Sequence, residues 1–128
     1  MFVSIKQALL TEFEAMALGL PTAYENRSHQ PTGTDPWCSV FISTSKSSIL
    51  TAGQNPMVER TGFIQIDINT PVNDGDGVAL GYCDKIEAHF SAGSWADDVL
   101  ILTTDRVQGR IVDGWYRIST TTNWIHRG

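Results

Sequence analysis

Features that announce a chemistry are scarce in this chain. Only two cysteines occur, Cys38 and Cys83, far apart and in no paired motif, which excludes a disulfide framework and a redox pair. They read as free buried thiols. A zinc site would need His29, His89 or His126 to converge through folding, and their spacing offers no such set, so no metal or other cofactor is expected. Long apolar runs are missing as well. The N-terminal stretch MFVSIKQALLTEFEAM is broken by Lys6, Glu12 and Glu14, so it is neither a signal-peptide core nor a membrane span, and a cytoplasmic product with no membrane partner is expected. Positive charge is in short supply. Nine basic against fourteen acidic residues leave a net charge of −5, which disfavours a primary role in gripping nucleic acid. No nucleophile elbow, zinc-protease helix or dinucleotide fingerprint appears. Asp97 and Asp98 read as a turn between helix and strand, and His126 beside Arg127 as a solvated chain end. No catalytic residue is assigned and an enzyme is not expected. A small enzyme whose site assembles only in three dimensions would show a concave pocket around His89 or His126.

What is present is an ordinary globular chain. Its 128 residues, 41% hydrophobic and 18% charged, suit one domain, residues 1–128, that buries roughly two thirds of its unfolded surface. Phe2, Ile5, Leu9, Phe13 and Met16 recur at three- and four-residue steps, which predicts an amphipathic helix from about Ser4 to Leu18. Ser4 and Gln7 are spaced as a capping box, and Gly19 is placed to end the helix in a left-handed turn. After a loop-like stretch with TAYEN as a short extended piece, WCSVFIS, residues 37–43, is dense in β-branched and aromatic residues and predicts a buried strand. MVERTGFIQIDIN predicts another, with Ile64, Ile66 and Ile68 facing one way and Phe63, Gln65, Asp67 and Asn69 the other. The polar stretch between them, roughly fifteen residues, makes this a β-hairpin with an overlong tip, a candidate contact arm.

NTPVNDGDGVAL, residues 69–80, packs aspartates and glycines as ligand loops do. A calcium loop fails in both registers. With Asp74 first, Val78 and Lys85 fall on ligand positions; with Asp76 first, Glu87 fits but Val78 does not. No Gly-Lys-Ser/Thr follows, so the phosphate loop fails too. Pro71 closes the strand, Asn73 or Asp74 caps a helix of about sixteen residues, and Asp74 and Asp76 are expected to hold backbone amides and no ion. Further on, GSWADD reads as a turn and VLILTT as a central strand covered on both sides. Turn signals at Gln108-Gly109 and Asp113-Gly114 precede the last strand, WYRISTTTNWIH. There Tyr116, Ile118, Thr120, Thr122 and Trp124 share one face, while Trp115, Arg117, Ser119 and Thr121 share the other. Trp115 therefore sits opposite Trp124, and at least one of them leaves the core as an interface anchor would. The element order predicts an α+β fold: a largely antiparallel sheet of four or more strands, two helices packed on one face and a long β-hairpin arm.

Four segments in order carry a resemblance: GLPTAYEN after the first helix, DPWCSVFIS, RTGFIQIDINTPVNDG and DGWYRISTTTNWIHR. Together they resemble the tail terminator or tail completion proteins of long-tailed bacteriophages, from about Ile5 to Arg127. The central pattern is matched by Arg60, Gly62, Phe63, Gln65, Pro71 and Gly75, and the final one by Gly114, Trp115, Tyr116 and Arg117. Ser119 to Thr122 depart from it, standing where Pro or apolar residues are expected.

The resemblance implies a structural protein of the virion tail with no cofactor. It implies a homo-oligomeric ring, usually a hexamer, that caps the head-proximal end of the tail tube, stops its polymerisation and offers the surface for head joining. Its implied partners are copies of itself, the tail tube protein and a head completion or connector protein, with DNA only passing through the lumen; assembly is in the host cytoplasm. A neighbouring neck component, such as a head-tail joining adaptor or a tube-like subunit, is the alternative. The expected contact regions are Lys46 to Glu59 and Arg110 to Arg117. The interface residues named within and beside them are Lys46, Glu59, Arg60, Asp67, Arg110, Asp113, Trp115 and Arg117.

Overall fold

The computed structural model describes residues 2–25, 35–49, 53, 57–73 and 75–127. Among the described residues two helices, α1 (Phe2–Ala15) and α2 (Gly77–His89), accompany seven strands: β1 (Thr22–Tyr24), β2 (Trp37–Ile49), β3 (Val58–Pro71), β4 (Trp95–Ala96), β5 (Val99–Arg106), β6 (Arg110–Val112) and β7 (Trp115–Arg127). The fold is α+β. The strands form one sheet in the order β1-β2-β3-β7-β5-β4, with β6 also against β7. Pairing is antiparallel throughout except for β1 with β2, so the sheet is mixed.

Period-two alternation in β3 drives the core. Ile64, Ile66 and Ile68 are buried together with Cys38 and Val40 from β2, Ile118 and Trp124 from β7, and Val99 and Ile101 from β5. Ile5, Leu9 and Phe13 of α1 and Ala79, Cys83 and Ile86 of α2 join the same cluster. Helical spacing on one side and strand spacing on the other thus meet in one apolar layer.

Several local expectations are corrected. Helix α1 starts at Phe2, so Ser4 lies inside its first turn and cannot open a capping box. It ends earlier than Leu18, because Ala17 turns left-handed (φ 52°) two residues before Gly19 (φ 75°). That turn brings Leu18 into the core. Strand β2 runs on to Ile49, past a bulge between Thr44 and Lys46, and pairs with β3 as far as Val58. β7 follows β3 to Glu59. The first part of the polar stretch read as an overlong tip, Thr44 to Ile49, is ladder within the sheet, where serines and threonines with good cross-strand neighbours hold strand geometry without apolar alternation; residues 50–52 and 54–56 of that stretch lie outside the described residues.

Asp76 is the N-cap residue of α2, yet its side chain makes no capping hydrogen bond (φ −105°, ψ −5°). Asp74 lies outside the described residues. The turn before the helix instead uses two left-handed residues, Asn73 (φ 75°) and Gly75 (φ 76°), and α2 spans 13 residues. GSWADD is not a turn from helix to strand but contains β4, whose hairpin to β5 turns at Asp97 (φ 56°). β5 is buried on one side only, with Leu102 exposed. His126 is no solvated end: it is 4% exposed and its Nε2 lies 2.9 Å from Asp98 Oδ2.

Within the polar departure in β7, Thr120 and Thr122 are accommodated by hydrogen bonds. Thr120 Oγ1 donates to the Ile66 carbonyl (3.0 Å). Thr122 and Thr104 share a hydroxyl contact of 2.8 Å, and Thr104 donates to the carbonyl of Phe90 (3.2 Å) at the C-terminal end of α2. Buried hydroxyls thereby satisfy a helix-end carbonyl and tie β7, β5 and α2 together.

Candidate protein interface

Side chains that alternate away from the core form a second sheet face, and register sorts them into rows. Pro71 faces Trp115, which faces Val112. Next come Trp37, Asn69, Arg117 and Arg110. Ser39, Asp67 and Ser119 follow, then Phe41, Gln65 and Thr121, then Ser43, Phe63 and Asn123.

Two aromatic pairs bracket this face. Trp37 and Trp115 meet edge to face with centroids 5.9 Å apart, and Phe41 and Phe63 do so at 5.8 Å. Both are within the range in which such pairs add stabilisation beyond area burial. Beneath the tryptophans Asn69 is fully buried, and its Oδ1 accepts from Arg117 Nε at 2.7 Å. Asp67 is 7% exposed. It accepts hydrogen bonds from Ser39 Oγ (3.3 Å) and Gln65 Nε2 (3.0 Å).

Of the eight residues expected at an interface, Asp67, Trp115 and Arg117 come together here with Arg110 beside them, and Asp113 lies in the adjoining β6–β7 turn. Asp113 (φ 52°) and Gly114 (φ 81°) are both left-handed, the arrangement a two-residue hairpin turn of the primed type requires. Asp67 and Arg117 are engaged within the chain, which leaves Arg110 and Asp113 as exposed charges. Glu59 is at the far end of the sheet, bonded to Arg127 Nε at 2.9 Å. Arg60 pairs with His126 in register and so belongs to the core-facing set. Lys46 is on β2 opposite Thr61.

A family model described as phage tail terminator protein matches residues 4–124. The chain belongs to the phage tail terminator family. Membership makes it a structural component of a bacteriophage tail and places it in the virion tail. A search of curated proteins finds no match. One solved structure, of a protein carrying no functional description, is 18% identical and superposes with a TM-score of 0.62 over 94% of each chain. At that identity the likeness concerns the fold alone.

Within this terminator fold, sequence reasoning missed Trp37, Ser39, Asn69 and Ser119 as members of the candidate face. Their signal was present in the alternation of β2 and β3, but the strand-to-strand register that aligns them is not readable from either strand alone. The two cysteines are buried free thiols. Burial pushes the Cys83 thiol up to about 11. Burial also raises Cys38, against a lowering hydrogen bond from Thr22 and with a further raise from Asp67. Both thiols stay protonated and poorly nucleophilic near neutrality.

Proposed function

We propose that the chain assembles into a closed ring, a hexamer, that docks on the head-proximal end of the completed tail tube, stops its polymerisation and offers the surface to which the filled head joins. The family match over residues 4–124 carries this reading. A growing tube exposes unpaired subunit surface, and a ring that pairs with that surface without reproducing it ends growth. In this reading both helices cover one face of the sheet, and the second face, with Trp115 leaning on Trp37, meets neighbouring subunits. Its partners are further copies of itself, the tube protein and a head completion protein, and assembly takes place in the host cytoplasm.

The net charge of −5 fits a lumen that is neutral or negative, past which DNA slides without adhering. The test is Trp115→Ala in the full chain, followed by mass measurement and by electron microscopy with purified tubes. Loss of rings or of capped ends supports the reading; unchanged ring formation and tail joining would remove Trp115 from the interface.

A further inference from the structure

We infer that the slot formed by Ser39, Asp67 and Ser119 on the second face receives the guanidinium of Arg110 from another copy of the chain. The inference rests on the ring reading above and names one contact within it. This row of short side chains crosses three strands between bulkier neighbours, Trp37 and Arg117 on one side and Phe41 and Gln65 on the other.

Within the row Asp67, 7% exposed, accepts side-chain hydrogen bonds from two neutral donors, the only ones among the described residues. Among the described residues no cation stands within ion-pair distance of it. Directly across the ladder, Ser119 is 3% exposed and its hydroxyl has no hydrogen-bond partner among the described residues. A desolvated carboxylate beside an unpartnered hydroxyl has spare acceptor capacity and an unmet need for positive charge. A guanidinium supplies both, because its planar fork offers several N–H donors at once.

The chain's own charges narrow the choice of donor. Arg117 is committed to Asn69 Oδ1, and Arg106 pairs with Thr120, on the core-facing set. Arg110 is exposed, makes no hydrogen bond or ion pair among the described residues, and stands in register with the like-charged Arg117. Repulsion there favours turning it toward a carboxylate on another molecule. Donor and acceptor are different residues, so the contact can repeat from copy to copy head to tail, the kind that closes a ring, whereas a reciprocal pair would stop at a dimer.

Sedimentation velocity on the full-length wild type and on Arg110→Glu, Asp67→Asn and the double variant tests this, with thermal melting of each as a control on folding. Each single variant should raise the concentration for half assembly at least about tenfold. The double variant should lose little more than the worse single one, as coupled partners do. Melting of the exposed-site variant Arg110→Glu should stay within roughly 3 °C of wild type. A wild type that assembles while Arg110→Glu assembles equally well would overturn the contact and leave the ring reading standing. Rings that form normally but no longer bind tubes would overturn a second copy as the occupant and point to the tube protein. A wild type that stays monomeric even with tubes would overturn the ring reading, and this contact with it.

Discussion

Gly62 lies directly opposite Trp124 on the β3–β7 ladder, and the fully buried indole occupies the space a side chain at Gly62 would need. A Cβ there would sit 2.0 Å from the Ser43 carbonyl oxygen and 2.5 Å from the indole ring. The glycine of the Arg60-x-Gly62-Phe63 pattern is thus a packing requirement: it lets β2, β3 and the largest core side chain approach one another. Gly62→Ala should destabilise the protein by about 1–3 kcal/mol through overpacking. Urea unfolding followed by tryptophan fluorescence checks this, and an unchanged midpoint would contradict it.

The hydroxyl chain from Thr122 through Thr104 to the Phe90 carbonyl should behave as one unit. Thr104→Val keeps the shape but strands both partners, at a cost of about 1–3 kcal/mol. Thr104→Val combined with Thr122→Val should be less destabilising than the sum of the singles. Additive losses in a double-mutant cycle would show that the threonines act independently.

How far the architecture could be read in advance depended on whether a signal was local. Spacing alone set Ile64, Ile66 and Ile68 on one face of β3 and Trp115 and Trp124 on opposite faces of β7, and the structure shows that the isoleucines and Trp124 are the buried ones. Local signals misled where a long-range partner decides the outcome. Ser47 and Ser48 look like loop residues until Arg60 and Glu59 pair with them. His126 looks like a frayed end until Asp98 and the ladder enclose it. Asp76 has the right chemistry for a helix cap, but the backbone turn at Asn73 and Gly75 delivers it without a capping bond. The slot at Asp67 was half legible: the aspartate stood out, whereas Ser39 and Ser119 became its neighbours only through register.

Cys83 gives the folded state an alkaline sensitivity. Its thiol titrates near 9.0 when unperturbed and at about 11 in the folded protein. Above pH 9 the unfolded chain loses a proton that the folded one keeps, so stability is full below that pH and falls as pH rises toward the folded value. The loss approaches roughly 2–3 kcal/mol. Cys83→Ala should flatten this part of the pH profile in denaturant titrations between pH 8 and about 11, despite its own baseline cost from the lost packing. An identical slope in the variant would assign the alkaline loss to other groups.

Asn69 links the half-buried tryptophan pair of the second face to Arg117. Asn69→Ala removes the acceptor at 2.7 Å and leaves a cavity under Trp37 and Trp115. It should cost about 1–3 kcal/mol in stability and shift the near-ultraviolet dichroism of the tryptophan pair. A spectrum superimposable on that of the wild type would mean that the pair is held without Asn69.

Ring closure and the arrest of tube growth are the two parts of the proposed function. Electron microscopy of purified tail tubes growing in the presence of the protein tests it most directly, with particle mass measured on the free protein. The account predicts a single closed ring at one end of each tube and a tube length that no longer increases once the ring is bound. Tubes that keep lengthening, or indefinite tubes formed by this chain alone, would contradict it.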